Sequence, residues 1–261
     1  MYVLYDSTFE GLLSACAWCF RKKLQPTAIL SELDDIPLLP YEFIPCEGNV
    51  RRLFSRHLKQ VIGLESEFVM DCAFRAFLSE QPDIAIHIYR YLYQALLTRS
   101  NPSGRLYDHS VASVMDAVKR VGSQAHAYMG LLRFRSISPE LFAADFEPDC
   151  HVLPLILPHF CDRLPGQNFV IRDLRRHLAA LHMSDGTTSL HVLADDVADF
   201  SDSQLTQTSL ADIVSEDHFA PLWRRYLHHL SIPERCNPDL QRANMPKKYW
   251  RYLVEQGTDN G

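Results

Sequence analysis

The 261-residue sequence predicts an α+β protein: helix-rich, with a small antiparallel sheet in the middle of the chain and helices before and after it. Three observations carry this. Apolar residues recur at helical spacing up to about residue 130, strand-like runs bounded by turn residues follow, and helical spacing returns near 218. Elements segregated into runs in this way argue α+β rather than an alternating parallel sheet.

Taken in order, YVLY at 2–5 reads as a short strand. Ser7-Thr8-Phe9-Glu10 fits a capping box, with the Ser hydroxyl and the Glu carboxylate satisfying orphan backbone N–H groups. Phe9, Leu12, Leu13, Cys16 and Phe20 then mark an amphipathic helix to about Lys23. Residues 24–48 hold Pro26, Pro37, Pro40 and Pro45 and read as an irregular connection. Leu53 to Ile62 and Phe68 to Leu78 give two helices, and Pro82 suits the first turn of a third, where its missing N–H costs nothing. NPSG at 101–104 ends that helix, and a fourth runs from about Ser110 to Met129.

LLRFRSI and LFAADFEP then read as strands, and HVLPLILPHFCDRL as a helix distorted by Pro158. NFVIRDL, LAALHMS and TTSLHVL add three strands, the last two joined by an Asp185-Gly186 hairpin turn. The Ser/Thr/Asp-rich stretch near 195–212 reads as a loop, and Phe219 to Leu230 restores a helix. The expected organisation is one domain over 1–261. It comprises a helical part at about 7–130, a sheet part at about 131–195, an acidic loop at about 195–217 and basic helices at about 218–256.

The net charge of -6 hides a division. No Lys or Arg lies between Leu178 and Asp217, whereas from Pro221 to Val254 seven basic residues face only Glu234 and Asp239. Hydrophobic residues make up 47%, enough for a core without metals or disulfides. The start of the chain lacks a basic n-region, and no apolar run approaches the ~20 residues of a membrane span. Seven scattered cysteines do not form a disulfide framework, so free thiols and a cytoplasmic setting are expected.

The segment NPDLQRANMPKKYWRYL at 237–253 concentrates basic and aromatic residues. Asn237 and Pro238 suit an N-cap and N1, and Pro246 starts a second helix in which Trp250, Leu253 and Val254 face inward. Arg242, Lys247, Lys248 and Arg251 would hold phosphates, with Tyr249, Trp250 and Tyr252 as flat rings beside them. Arg133 and Arg135 in RFR, with Arg172, Arg175 and Arg176 in RDLRR, would place further guanidiniums near one sheet edge. A solvated charged face, or pairing with the acidic segment, explains the same residues without a ligand.

Other constellations favour structural readings. Cys16-Ala-Trp-Cys19 has no second ligand pair and falls on the core stripe of the first helix. Cys150, His151, His159 and Cys161 match no familiar zinc spacing. Asp6, Glu10, Glu147, Asp149 and Asp173 are acids near element ends, which a two-metal nuclease would need to bring together. No metal site, cofactor motif or Walker, Rossmann or GxSxG pattern is present.

Four stretches resemble one family. YDSTFEGLL at 5–13 is similar to its YDGTFEG opening, and LLRFRSI at 131–137 to its RF motif. FEPDCHVLPLILPHF at 146–160 is similar to EPxHDVLPLLAPHF, and IPERCNPDLQRANMPKKYWRYLVE at 232–255 to IPERxNPxxQxxxMPxxYWxYL. The family is that of DNA-metabolism or DNA-repair proteins paired with a radical-SAM protein, with related domains fused to uracil-DNA-glycosylase-like modules. The resemblance implies an accessory protein of DNA repair or modification, engaging DNA, a radical-SAM partner enzyme, or both. Ser7 stands in place of the usual Gly, and Cys150-His151 in place of His-Asp. A metal-dependent nuclease or base-processing enzyme, and a protein–protein adaptor anchored by Tyr249 and Trp250, are the alternatives.

Overall fold

A computed structural model describes residues 1–34, 40–138, 140–193 and 245–253. The chain divides into two compact units, Met1–Ser123 and Gln124–Gly261. Helices and strands are both well represented, so the α+β class holds.

The first unit opens with β1 (Tyr2–Tyr5) and α1 (Phe9–Lys22). Thr8, rather than Ser7, is the cap: its hydroxyl accepts a hydrogen bond from the Gly11 N–H (2.9 Å). Ser7 instead has a φ of 63°, a left-handed conformation that glycine adopts at least cost. Glu10 turns away from the cap toward Arg51 (3.5 Å), so no capping box forms. Asp6 Oδ1 accepts from the Thr8 N–H (3.1 Å) and hydroxyl (2.7 Å), and only a glycine at 11 leaves room for that carboxylate.

Two short strands lie within the stretch expected to be irregular: β2 (Ala28–Ser31) and β3 (Tyr41–Phe43). Both run parallel to β1, giving the order β2-β1-β3. They escaped the sequence reading because each is only three or four residues long and lies among prolines. β1 has the apolar centre, Val3 and Leu4, that makes it the middle strand.

Helices α2 (Val50–Ile62), α3 (Ser66–Phe77) and α4 (Ile84–Thr98) follow, close to expectation. Pro82 lies outside α4, which starts after Asp83 in a left-handed turn. One core joins Val3, Leu12, Leu13, Cys16, Leu58, Val69, Tyr91 and Leu92. Cys16 and Cys19 are both buried in it. Desolvation pushes both thiols up, Cys19 to about 11. α5 (His109–Leu131) contributes residues to both units.

The second unit carries β4 (Arg135–Ser138), β5 (Leu141–Phe146), α6 (Leu153–Arg163), β6 (Asn168–Asp173), β7 (Leu178–His182) and β8 (Thr188–Val192). The strands lie in chain order, β4 to β8. Three pairings are antiparallel, as expected, but β5 and β6 are parallel because α6 returns the chain between them. Pro158 lies inside α6, and Gly186 sits at the β7–β8 turn with a φ of 88°. Period-two alternation sends Phe169, Ile171 and Ala180 to one face, with Ala143, Val170 and Ala179 on the other. The expected acidic loop at about 195–217, and the predicted basic helices except for 245–253, lie outside the described residues.

All described cysteines are free. No helix among the described residues is long and apolar enough to cross a membrane.

Candidate functional site

The site is built on the second unit. Asp145 on β5 and Arg172 on β6 are register partners, so the same pleat that separates them from Asp173 brings their side chains together. Arg172 donates from both Nε and Nη2 to the two Asp145 oxygens, and Arg135 at the start of β4 donates to Asp145 Oδ2 (2.7 Å). Arg172 therefore lies on the central strand, largely shielded, and not at a sheet edge. Only Arg135 lies on an edge strand. Arg133 precedes it in the connection and donates to the Gly130 carbonyl (2.8 Å).

On the opposite pleat, Asp173 is fully buried. Its oxygens accept from the backbone N–H groups of Arg175 and Arg176 and from Arg176 Nη1 (3.0 Å), with His151 Nδ1 4.0 Å away. Arg176 also donates to the carbonyls of Pro148 and Asp149. RDLRR thus folds into a turn whose last arginine ties the 147–149 segment to the sheet. Gln124 on α5 completes the tie: its Nε2 donates to Asp149 Oδ2 (3.0 Å) and its Oε1 accepts from the Cys150 N–H (2.7 Å).

Lys247–Tyr252 forms a 3-10 helix against this segment. A repeat of three residues aligns Lys248 with Arg251 and Tyr249 with Tyr252. Lys248 Nζ donates to Asp149 Oδ2 (2.8 Å), and Arg175 Nη1 lies 3.7 Å from Asp149 Oδ1. Arg251 Nη1 donates to both Glu147 oxygens (3.0 Å each). The Asp149 hydrogen bond raises the Lys248 pKa. The inward ring is Tyr249, not Trp250. Tyr249 is 8% exposed and packs edge-on against Tyr128, with ring centres 5.0 Å apart. Trp250 is half-buried, its indole donating to the Met245 carbonyl (2.8 Å), and Lys247 lies over its ring at 5.9 Å.

The 3-10 tightening explains the difference from the expected α-helical stripe, since a different winding turns Tyr249 inward in place of Trp250, while Leu253, just after the helix, is buried as expected. Tyr249 is accordingly a packing residue, unable to stack a base or anchor a partner from this position. Arg242 lies outside the described residues.

Between the 3-10 helix and the strand face opens a cleft of about 200 Å³ lined by Arg133, Arg135, Asp145, Arg251 and Tyr252 with Ala143 and Leu253. Arg251 is 69% exposed and uses one guanidinium nitrogen for its carboxylate; Arg135 is 51% exposed and also uses one. The Tyr252 ring lies under Arg251 at 5.4 Å. Burial, then the Glu147 carboxylate, raises the Tyr252 pKa, so its hydroxyl stays neutral. Among the described residues around the site, Arg135, Arg172, Arg175, Arg176, Lys248 and Arg251 pair with Asp145, Glu147, Asp149 and Asp173. Planar guanidiniums with N–H groups to spare suit bidentate contact with a phosphate.

Sequence reasoning missed Asp145 and Gln124, whereas Tyr252, expected as a ring beside the cations, does line the cleft. Asp145 had a usable signal, lying in the strand run that follows RFR. Gln124 had none, because its role depends on which segment the fold lays beside it.

The acids considered for a two-metal site have other work. Asp6 is clasped on Thr8 and Glu10 faces Arg51, while Glu147 and Asp149 each face a cation. Among the described residues, no three His, Cys, Asp or Glu side chains form a group able to hold a metal ion. Cys150 is buried in the core, and Cys161 lies 3.4 Å from His182 Nδ1.

Comparison with curated proteins and with solved structures finds no match. A family model described as a domain of unknown function, DUF4130, matches residues 82–255. That span is two thirds of the chain and holds the strand arginines, the 147–149 acids and the 3-10 helix; the protein is a member of the DUF4130 family.

Proposed function

We propose that this protein is an accessory factor of DNA repair or DNA modification that grips nucleic acid through the arginine cleft of its second unit. One observation carries the reading. Arg133, Arg135 and Arg251 line a single open cleft beside the Tyr252 ring, with Asp145 the only carboxylate among the described lining residues. A phosphodiester entering the cleft meets the exposed guanidiniums of Arg135 and Arg251, and the tyrosine ring offers a surface for an adjoining sugar or base. The carboxylates hold the guanidiniums in position beforehand, which reduces the ordering cost of binding. In this reading the resemblance of the 232–255 segment supplies the DNA-processing context. A radical-SAM enzyme is then the partner that brings the chemistry.

The test is fluorescence anisotropy of the full chain with single- and double-stranded DNA across a salt series. Arg135→Ala/Arg251→Ala removes two cleft cations while leaving the Arg172–Asp145 pair in place. The duplex log–log salt slope should become shallower by about 1.8, with affinity falling roughly tenfold or more near 0.1 M salt. Unchanged affinity and slope in the double variant would overturn the reading.

A further inference from the structure

α2 has the sequence VRRLFSRHLKQVI, with four Lys or Arg residues and no Asp or Glu in thirteen positions. Val50, Phe54 and Leu58 recur every fourth residue and are buried, so they orient the helix. Arg52, Arg56 and Lys59 follow at i, i+4 and i+7, one stripe on its exposed side, with Arg51 beside it. Their pairing differs sharply from that of the second unit. Among the described residues Arg52 and Arg56 form no ion pair. Arg51 and Lys59 have only long, exposed contacts, 3.5 Å to Glu10 and 3.8 Å to Glu67. Such contacts are worth ~1 kcal/mol or less and are readily exchanged for another anion.

The stripe borders a cleft of about 460 Å³ between α2 and α3, whose lining includes Arg51, Ser55, Arg56, Lys59, Ser66 and Phe74. Both carboxylates on its walls already face cations, Glu67 toward Lys59 and Asp71 toward Arg75 (2.7 Å). Arg51 is held over the Phe74 and Phe9 rings at 5.1 and 5.6 Å, which fixes its guanidinium at one end of the row. From Arg51 to Lys59 the helix rises about 12 Å. One DNA strand presents a phosphate about every 3.4 Å of axis, so a row of this length faces about three of them. A point anion would use one end of the row; a tracked backbone uses all of it.

We infer that the α2 stripe and the α2–α3 cleft form a second nucleic-acid backbone site, separate from the arginine cleft and built to hold phosphates without reading bases. Arg52 and Arg56 are its principal contacts, Arg51 and Lys59 its flanks, and the Ser55 and Ser66 hydroxyls its neutral donors.

The experiment compares the wild-type chain with Arg52→Glu/Arg56→Glu, Arg52→Lys/Arg56→Lys and Arg135→Ala/Arg251→Ala, using duplex DNA, a glutamate homopolymer and anionic vesicles as probes. The glutamate pair should lose at least tenfold in DNA affinity, with a salt slope shallower by about 1.8, and the lysine pair should retain the wild-type slope. Arg52 and Arg56 are exposed and form no ion pair among the described residues, so circular dichroism and Tm should not change in their variants. DNA binding untouched by Arg52→Glu/Arg56→Glu but lost in Arg135→Ala/Arg251→Ala overturns this site and leaves the arginine cleft standing. Vesicles or the homopolymer binding more tightly than DNA through Arg52 and Arg56 would overturn it in favour of a membrane or an acidic protein.

Discussion

The two units use their charges in opposite ways. In Met1–Ser123 three carboxylates serve the backbone: Asp6 accepts from Thr8, Asp34 from the Ser31 N–H, and Asp108 from the Ser110 and Val111 N–H groups, while Glu10, Glu47, Glu67 and Asp71 make ion pairs at the surface. Arg52 and Arg56 of α2 face solvent. In Gln124–Gly261 the carboxylates Asp145, Glu147, Asp149 and Asp173 face arginines and lysines and hold them in place. Basic residues in a sequence therefore say little about available charge until the fold shows where the acids went. Among the described residues, Arg52 and Arg56 of α2 form no ion pair, whereas Lys248 and Arg251 of the 3-10 helix each face a carboxylate.

If ion pairs organise the second unit, its buried pair should be the most costly to break. Asp173 is fully buried and the Arg176 side chain nearly so, and the carboxylate also accepts two backbone N–H groups. Asp173→Ala leaves a buried guanidinium without its carboxylate, and the expected loss is about 3–5 kcal/mol in urea unfolding. A loss below about 1 kcal/mol would mean that the second unit does not depend on its ion pairs, and the contrast between the units would fail.

The corresponding test in the first unit targets a carboxylate on the backbone. A Cβ on Gly11 would fall 1.8 Å from Asp6 Oδ1. Gly11→Ala should therefore displace Asp6 from Thr8 and cost about 1–3 kcal/mol. In an Asp6→Ala background the same change has no carboxylate to displace, and its cost should shrink toward zero or reverse. Equal costs in the two backgrounds, read from chemical denaturation, would show that the clash lies elsewhere.

Much of this was legible in the sequence, for reasons that differ by element. α1, α3 and α5 are long enough for their apolar period to declare them, and the β7–β8 hairpin announces itself through Asp185-Gly186. β2 and β3 were hidden because three or four residues hold too little periodicity, and their pairing with β1 is non-local. The site was visible as a set of basic residues but not as an arrangement. Nothing in PKKYWRYL distinguishes a 3-10 from an α-helical winding, and that difference turns Tyr249 inward and aligns Lys248 with Arg251. The α2 stripe is fully legible in RRLFSRHLK, but which of its cations stay unpaired depends on the fold.

The smallest effect concerns the exposed pairs that lie between these extremes. Lys248 and Arg251 face Asp149 and Glu147 but are more than half exposed. Each single alanine variant should cost only about 0.2–1 kcal/mol. The hydrogen bond from Lys248 to Asp149 raises the Lys248 pKa in the fold above its ordinary 10.5, so the folded state holds that proton more tightly than the unfolded chain does. The stabilisation is then fully present below about pH 10.5 and is lost as pH rises through the folded value. Wild type and Lys248→Ala should differ by a constant small Tm offset from pH 6 to 9, and the offset should close above pH 10.5. Added salt at pH 7 should shrink the same offset, because an exposed pair is screened. By contrast, the loss in Asp173→Ala should barely change with salt, since a fully buried carboxylate lies out of reach of the screening ions. A Lys248 offset as salt-resistant as that of Asp173 would place the C-terminal helix among the locked elements of the second unit and not at its adjustable surface.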